Sequence, residues 1–94
     1  MIKDRKKIRK IIEEKIKEDN PYEIIDEKAC FKTSSGGYVR LDTIGDDYDC
    51  IVIEFAENKN EAKNNRFEDG DLLDVSTTAI EEIEKIVRLQ IIDN

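Results

Sequence analysis

The sequence predicts a single α+β domain in which two helices pack on one face of an antiparallel sheet, in the order α-β-β-β-(β)-α. The first observation is that the spacing of apolar residues changes from helical to alternating after Pro21 and returns to helical near Thr78. The second is the length, because 94 residues suffice for one hydrophobic core only, so residues 1–94 form one domain. Short turn signals between the strands predict a meander.

The first predicted helix spans residues 2–19, and its apolar residues recur on one stripe, namely Ile8, Ile11, Ile12 and Ile16. Asn20 and Pro21 end it, because asparagine tolerates a left-handed cap and proline cannot continue a helix. In the last helix, Thr78 followed by Glu81 predicts a capping box. The buried stripe of that helix is predicted to be Ile80, Ile83, Val87 and Ile91.

Alternating apolar residues predict the strands between the helices. The first strand is expected to place Ile25, Ala29 and Phe31 on one face and to end at a turn made of Ser34, Ser35, Gly36 and Gly37. The second strand follows at once, with Val39 and Leu41 on its apolar face.

The third predicted strand, which follows a turn at Gly45, contains Ile51, Ile53 and Phe55. Cys50 and Val52 between them are also apolar, so we expect this strand to be central and covered on both faces. The buried core is predicted to bring together Ile12, Ile16, Ile51, Ile53, Phe55, Ile83 and Val87. The sheet face away from the helices is expected to be solvated and to display some of Tyr38, Arg40, Asp42 and Glu54.

The segment between the third strand and the last helix is strongly polar. Residues 57–66 contain a single small apolar residue and predict an exposed loop. Residues 67–75 place Gly70 between two aspartates and continue with Leu72 and Leu73. That pattern fits a short edge strand or an extended connector.

Charge is divided unevenly along the chain. Residues 1–18 carry eight Lys or Arg against four acids, whereas the whole chain has a net charge of −7. Residues 42–74 hold eleven acids and only three bases. A field of this sign attracts basic partners and repels nucleic acid. The candidate partner-binding residues are therefore Asp42, Asp46, Asp47, Asp49, Glu54, Glu57, Glu68, Asp69, Asp71 and Asp74.

Catalysis, cofactors and metals are not predicted. The chain has no histidine, so neither a Cys-His nor a Ser-His pair can be built, and we expect no enzyme activity. Acids near Gly45 and Gly70 supply oxygen ligands of the kind calcium accepts. Around Gly70, however, Phe67 and Ser76 occupy positions where a helix-loop-helix calcium loop needs ligands, so two solvated acidic turns are the better interpretation.

Direct nucleic-acid binding is also disfavoured. Helix, three strands, helix is the element order of a double-stranded RNA-binding domain, which docks phosphates with lysines at the start of its second helix. Here that helix begins with Glu81 and Glu82, so the charge is reversed. Only a basic run in the first helix could serve, consisting of Lys3, Arg5, Lys6, Lys7, Arg9 and Lys10.

Hydropathy and cysteine content give an expectation about the compartment. No apolar run approaches the ~18 residues of a membrane span, so no membrane partner is expected. Cys30 and Cys50 form no disulfide framework and are expected to be reduced. We therefore expect a cytoplasmic protein, bacterial or, if encoded by a phage, acting in the host cytoplasm.

In size, acidity and element order the chain resembles the small helix-sheet-helix anti-CRISPR proteins that phages use against Cas nucleases, and the immunity proteins that neutralise nuclease toxins. The resemblance implies a DNA-mimic inhibitor that binds a basic protein, a Cas effector or a toxin, and occludes its nucleic-acid-binding surface. The basic first helix departs from a uniformly acidic mimic. The alternative is a structural or oligomerisation module that makes its contacts through the solvated sheet face or the first helix.

Overall fold

The computed structural model describes residues 5–43 and 50–94 and confirms the α+β class and the helix-sheet-helix order. The elements are α1 (Arg5–Lys17), β1 (Tyr22–Ile25), β2 (Lys28–Lys32), β3 (Tyr38–Thr43), β4 (Cys50–Ala56), α2 (Lys59–Lys63), β5 (Glu68–Asp74) and α3 (Ile80–Asp93). The strands form one antiparallel meander in the sheet order β1-β2-β3-β4-β5. The segment 67–75 thus forms the edge strand that the sequence suggested.

The first predicted strand is in fact a hairpin of two strands. Asp26 and Glu27 turn the chain with φ angles of 52° and 65°, as a two-residue hairpin turn with positive φ at both positions requires. Tyr22 pairs with Phe31 and Ile25 with Lys28. Ile25 therefore lies on the opposite face from Ala29 and Phe31, and the prediction that the three share a face is wrong.

One sheet face is covered by the two long helices. Their buried stripes meet the apolar side of the sheet in a core that includes Ile12, Ile16, Leu41, Ile51, Ile53, Ile83 and Val87. The predicted core is confirmed for every residue except Phe55, which is only half-buried against it. The central strand is β3 rather than β4, but β4 lies inside the sheet and is buried on both faces as expected.

The helix boundaries follow local hydrogen bonds. Asn20 donates from Nδ2 to the carbonyl of Ile16 across 3.2 Å and so helps to end α1. At α3 the predicted capping box is wrong, because the N-cap is Ala79 and no side chain caps it. Thr78 instead donates its backbone N–H to the carbonyl of Asp74 at 2.9 Å, within the turn that leads into the helix.

The second sheet face is partly covered, which corrects the expectation of a solvated face. Residues 57–66 contain α2, whose N-cap is Asn58; the side chain of Asn58 accepts a hydrogen bond from the N–H of Glu61 at 2.9 Å. Ala62 of α2 is buried against the sheet in a small second core with Cys30, Tyr38 and Ala56, and Ile25 and Phe67 pack against it. Among the residues expected to be displayed there, Tyr38, Arg40 and Glu54 are buried and Asp42 is half-buried.

Candidate protein-binding edge

The strand β5 forms one edge of the sheet and carries four carboxylates in seven residues. Within the described residues it pairs with β4 on one side only, and six of its seven residues are exposed. The acids are Glu68, Asp69, Asp71 and Asp74, and the strand contains no basic residue. We call this strand with its four carboxylates the acidic edge.

A β-bulge in β5 sets which face of the sheet the residues after Gly70 occupy. The register passes from Val52 opposite Leu72 to Glu54 opposite Asp69, so two residues of β5 oppose one of β4. Gly70 lies in the bulge, where a Cβ atom would come within 2.8 Å of the carbonyl oxygen of Ile53. A glycine therefore permits the close backbone approach that the bulge requires.

The bulge sets the environment of each carboxylate. Asp69 and Asp74 lie opposite Glu54 and Cys50 on the second sheet face, whereas Glu68 lies opposite Phe55 on the helix face. Asp71 accepts a hydrogen bond from Gln90 of α3 at 3.1 Å. Negative charge thus lies on both sides of the edge.

Hydrogen bonding from Ser76 shapes the end of the acidic edge. Asp74 Oδ1 accepts bonds from the hydroxyl of Ser76 at 2.6 Å and from its backbone N–H at 2.8 Å. These bonds lower the pKa of Asp74, with the hydroxyl contributing most. Asp74 therefore holds its charge at neutral and mildly acidic pH.

No carboxylate of the acidic edge forms an ion pair with any residue that the structure describes. Several acids elsewhere are paired, among them Glu23 with Lys59, Glu84 with Lys15 and Arg88, and Asp19 with Arg88. The acidic edge is therefore an uncompensated strip of negative charge.

The ten sequence-predicted site residues divide into groups. Glu68, Asp69, Asp71 and Asp74 come together on the acidic edge, and Glu57 is exposed just after β4. Asp42 is half-buried and its carboxylate lies 3.8 Å from Lys28 Nζ. Glu54 is buried, so the expectation that its side chain is displayed on the sheet surface is wrong. The remaining three, Asp46, Asp47 and Asp49, lie outside the described residues.

Glu54 instead belongs to a buried charge cluster behind the acidic edge. Arg40 donates from Nε to Glu54 Oε1 at 2.8 Å, and its guanidinium stacks 3.7 Å from the ring centre of Phe67. Burial raises the pKa of Glu54, the hydrogen bond and charge of Arg40 oppose that rise, and the nearby carboxylates of Asp42 and Asp69 add to it. The cluster ties β3, β4 and β5 together across the second sheet face.

Leu72 is a candidate site residue that the charge pattern did not indicate. Its side chain is 57% exposed in the middle of β5, on the same face as Asp69 and Asp74. The sequence contained a signal for it, because two consecutive leucines in a strand must point to opposite faces. Leu73 takes the inner face opposite Ile51, so Leu72 must face outward.

A groove of about 460 Å³ lies beside the N-terminal part of α1 and has mixed charge. Its lining comprises Lys6, Arg9, Lys10, Lys28, Asp26, Glu27, Asp42 and Thr43. Because its lining contains both cations and carboxylates, the groove does not extend the acidic edge.

Within residues 5–43 and 50–94, no group of three or more Cys, Asp or Glu side chains is arranged to hold a metal ion. Burial raises the pKa of Cys30 to about 11, so its thiol keeps its proton at neutral pH. In the same part of the chain, no helix has the length and apolarity to cross a membrane.

A comparison with protein-family models, curated proteins and solved structures found no match for this chain.

Proposed function

We propose that the protein is a small protein-binding inhibitor of the anti-CRISPR or immunity type, which uses the acidic edge to occlude the basic nucleic-acid-binding surface of a nuclease. The observation that carries this proposal is the concentrated charge of β5: four exposed carboxylates within seven residues of one edge strand, with no basic residue in that strand and no ion-pair partner among the described residues. The proposed site of action is the bacterial cytoplasm, or the host cytoplasm for a phage protein.

In the proposed mechanism the chain blocks the nucleic-acid-binding surface of the nuclease and carries out no reaction itself. Carboxylates on β5 pair with lysine and arginine side chains that otherwise hold phosphate groups, so the inhibitor and the nucleic acid compete for one surface. The sheet presents them from a strand anchored through the bulge and the Arg40–Glu54 pair, which limits the conformational entropy lost on binding. Exposed Leu72 supplies an apolar contact inside a charged rim.

The experiment is affinity capture followed by an activity assay. The tagged full chain is used to capture proteins from the source cell at low and at high salt, and the captured protein is assayed for nuclease activity with increasing amounts of the chain. We expect a nucleic-acid-binding protein that is captured at low salt, lost at high salt, and inhibited in competition with its nucleic acid. Capture that is indifferent to salt, or a captured nuclease that remains fully active, would contradict the proposal.

The second candidate is a structural or oligomerisation module, and the other sheet edge is the observation that favours it. On β1, Ile24 is 56% exposed and Tyr22 is also exposed, so this short edge strand offers an apolar surface. If the chain is such a module, the wild type forms dimers or larger assemblies, and Ile24→Lys shifts it to the monomer. Sedimentation velocity of the wild type and of this variant distinguishes it from a monomeric inhibitor.

A further inference from the structure

The backbone of β5 has hydrogen-bonding groups that the sheet does not use. An interior antiparallel strand bonds to neighbours on both sides, but β5 pairs only with β4 among the residues that the structure describes. Alternate residues of β5 therefore direct their N–H and C=O groups away from the sheet. A free edge of this kind is a template on which another extended strand can form.

Side chains flank this backbone edge with the same charge on both faces. Asp69 and Asp74 lie on the second sheet face with Leu72 between them, and Glu68 lies on the helix face. A strand added to β5 places its own side chains alternately on the two faces. Its residues on both faces then lie beside a carboxylate, so consecutive basic residues suit the edge better than alternating ones.

A second copy of β5 does not fit this edge. Because the strand has four acids and no base, pairing two copies would set like charges against each other across the new strand pair. The acids also protect the edge against aggregation. Protection alone, however, does not account for an exposed leucine in the middle of the strand.

We propose that the occupant is an extended, basic segment of the partner protein, which adds to the sheet as a sixth strand beside β5. This inference rests on the proposed function and specifies how the acidic edge recognises its partner. Backbone hydrogen bonds to β5 fix the segment in register, Lys and Arg side chains on both faces pair with the four carboxylates, and an apolar residue covers Leu72.

The probe for this proposal is a synthetic peptide of seven residues, the length of β5, built from lysine and valine with consecutive lysines. The control peptide has the same sequence and charge but is N-methylated at consecutive central residues, which removes backbone donors from both of its edges. We expect the probe to bind about tenfold or more tightly than the control. On binding, the amides of alternate β5 residues become protected from hydrogen exchange, because strand addition engages every second N–H.

Three variants separate this inference from the proposed function. Neutralising the four edge acids to Asn or Gln should abolish binding of the probe, and equal binding by that variant would overturn the proposed function itself. Leu72→Ser should weaken binding severalfold, whereas Ile24→Ser, which alters an equally exposed residue on the other edge, should not. If the probe binds in a charge-dependent way but protects no β5 amides, or binds no more tightly than the N-methylated control, strand addition alone is overturned. Two other results would also overturn strand addition. One is a wild-type chain that does not bind the probe. The other is a wild-type dimer that becomes monomeric in Leu72→Ser.

Discussion

Arg40 and Glu54 form a buried ion pair on the sheet face that the two long helices leave uncovered, with 2.8 Å between Nε and Oε1. Their side chains are 5% and 12% exposed, and the aromatic ring of Phe67 covers the guanidinium. Glu54 is the register partner of both Arg40 and Asp69, so the pair lies directly beside the acidic edge. It also removes Glu54 from the surface available to a partner.

The first prediction concerns this pair. Arg40→Met should lower the free energy of unfolding by about 3–5 kcal/mol, because it leaves a buried carboxylate without its counter-ion. The double variant Arg40→Met, Glu54→Leu should recover much of that loss, since an apolar pair avoids the desolvation of both charges. Urea unfolding measures both. Arg66→Met removes an exposed pair with Glu61 and should change stability by less than about 1 kcal/mol; an equal loss at the two arginines would contradict the burial argument.

The second prediction concerns the helix-facing core. Ile53→Ala should destabilise the domain by about 2–5 kcal/mol, because it removes buried methyl groups and leaves a cavity between the sheet and the helices. Thermal or urea unfolding checks this, with the exposed strand residue Ile24→Ala as control. A loss below about half a kcal/mol for Ile53→Ala would mean that the strand faces are assigned incorrectly.

The third prediction concerns the bulge. Gly70→Ala should lower stability by about 1–3 kcal/mol, because its Cβ would meet the carbonyl oxygen of Ile53 at 2.8 Å and one of the two backbones must move. The same change should reduce partner binding, since the bulge sets which face each carboxylate occupies. Asp71→Ala, at the exposed neighbouring position, is the control for stability. Wild-type stability in Gly70→Ala would show that the edge tolerates a different register.

The fourth prediction concerns pH. The Tyr38 hydroxyl donates to Glu23 Oε2 at 2.7 Å, and this bond, followed by Lys59, lowers the pKa of Glu23 below its ordinary value of 4.5. A lowered carboxyl pKa contributes stability that is present above pH 4.5 and is lost as pH falls through the folded-state pKa. Tyr38→Phe should therefore raise the pKa of Glu23.

The stability difference between the wild type and Tyr38→Phe should be largest near neutral pH and shrink in acid. Carboxyl NMR titration and unfolding as a function of pH measure the two effects. Tyr22→Phe, at an exposed tyrosine on β1, is the matched control. A Glu23 titration that does not move in Tyr38→Phe would contradict the assigned cause.

The two long helices α1 and α3, the strands β3 to β5 and most of the core could be predicted from sequence because their apolar residues are regularly spaced, whereas α2 lies in a segment that was expected to be a loop. The first hairpin could not, because its turn is formed by Asp26 and Glu27, which adopt positive φ without the asparagine or glycine that usually marks such a turn. Burial of the second sheet face could not be predicted from the sequence either. Ala62 is a single apolar residue in a polar segment, and charged Arg40 meets Phe67, its aromatic neighbour, only in the folded chain.

The acidic edge itself could be predicted in part. Charge density identified Glu68, Asp69, Asp71 and Asp74, but composition does not distinguish an acid that is free from one that is paired. Glu54 is paired in the interior with Arg40, whereas the acids of β5 have no ion-pair partner within the described residues. That distinction depends on cross-strand neighbours, which only the register supplies.

The most direct test of the inhibitor proposal compares two variants of equal net charge. One neutralises the edge: Glu68→Gln, Asp69→Asn, Asp71→Asn and Asp74→Asn. The other neutralises four exposed acids elsewhere: Glu18→Gln, Glu81→Gln, Glu82→Gln and Asp93→Asn. The measurement is the concentration of each that halves the activity of the captured nuclease.

If the acidic edge is the binding surface, the first variant should halve the nuclease activity only at a concentration at least severalfold above that of the wild type. Each lost ion pair contributes about 0.2–1 kcal/mol to binding. The second should inhibit as the wild type does. Equal inhibition by all three proteins, or an equal loss in both variants, would contradict the account by showing that β5 has no special role.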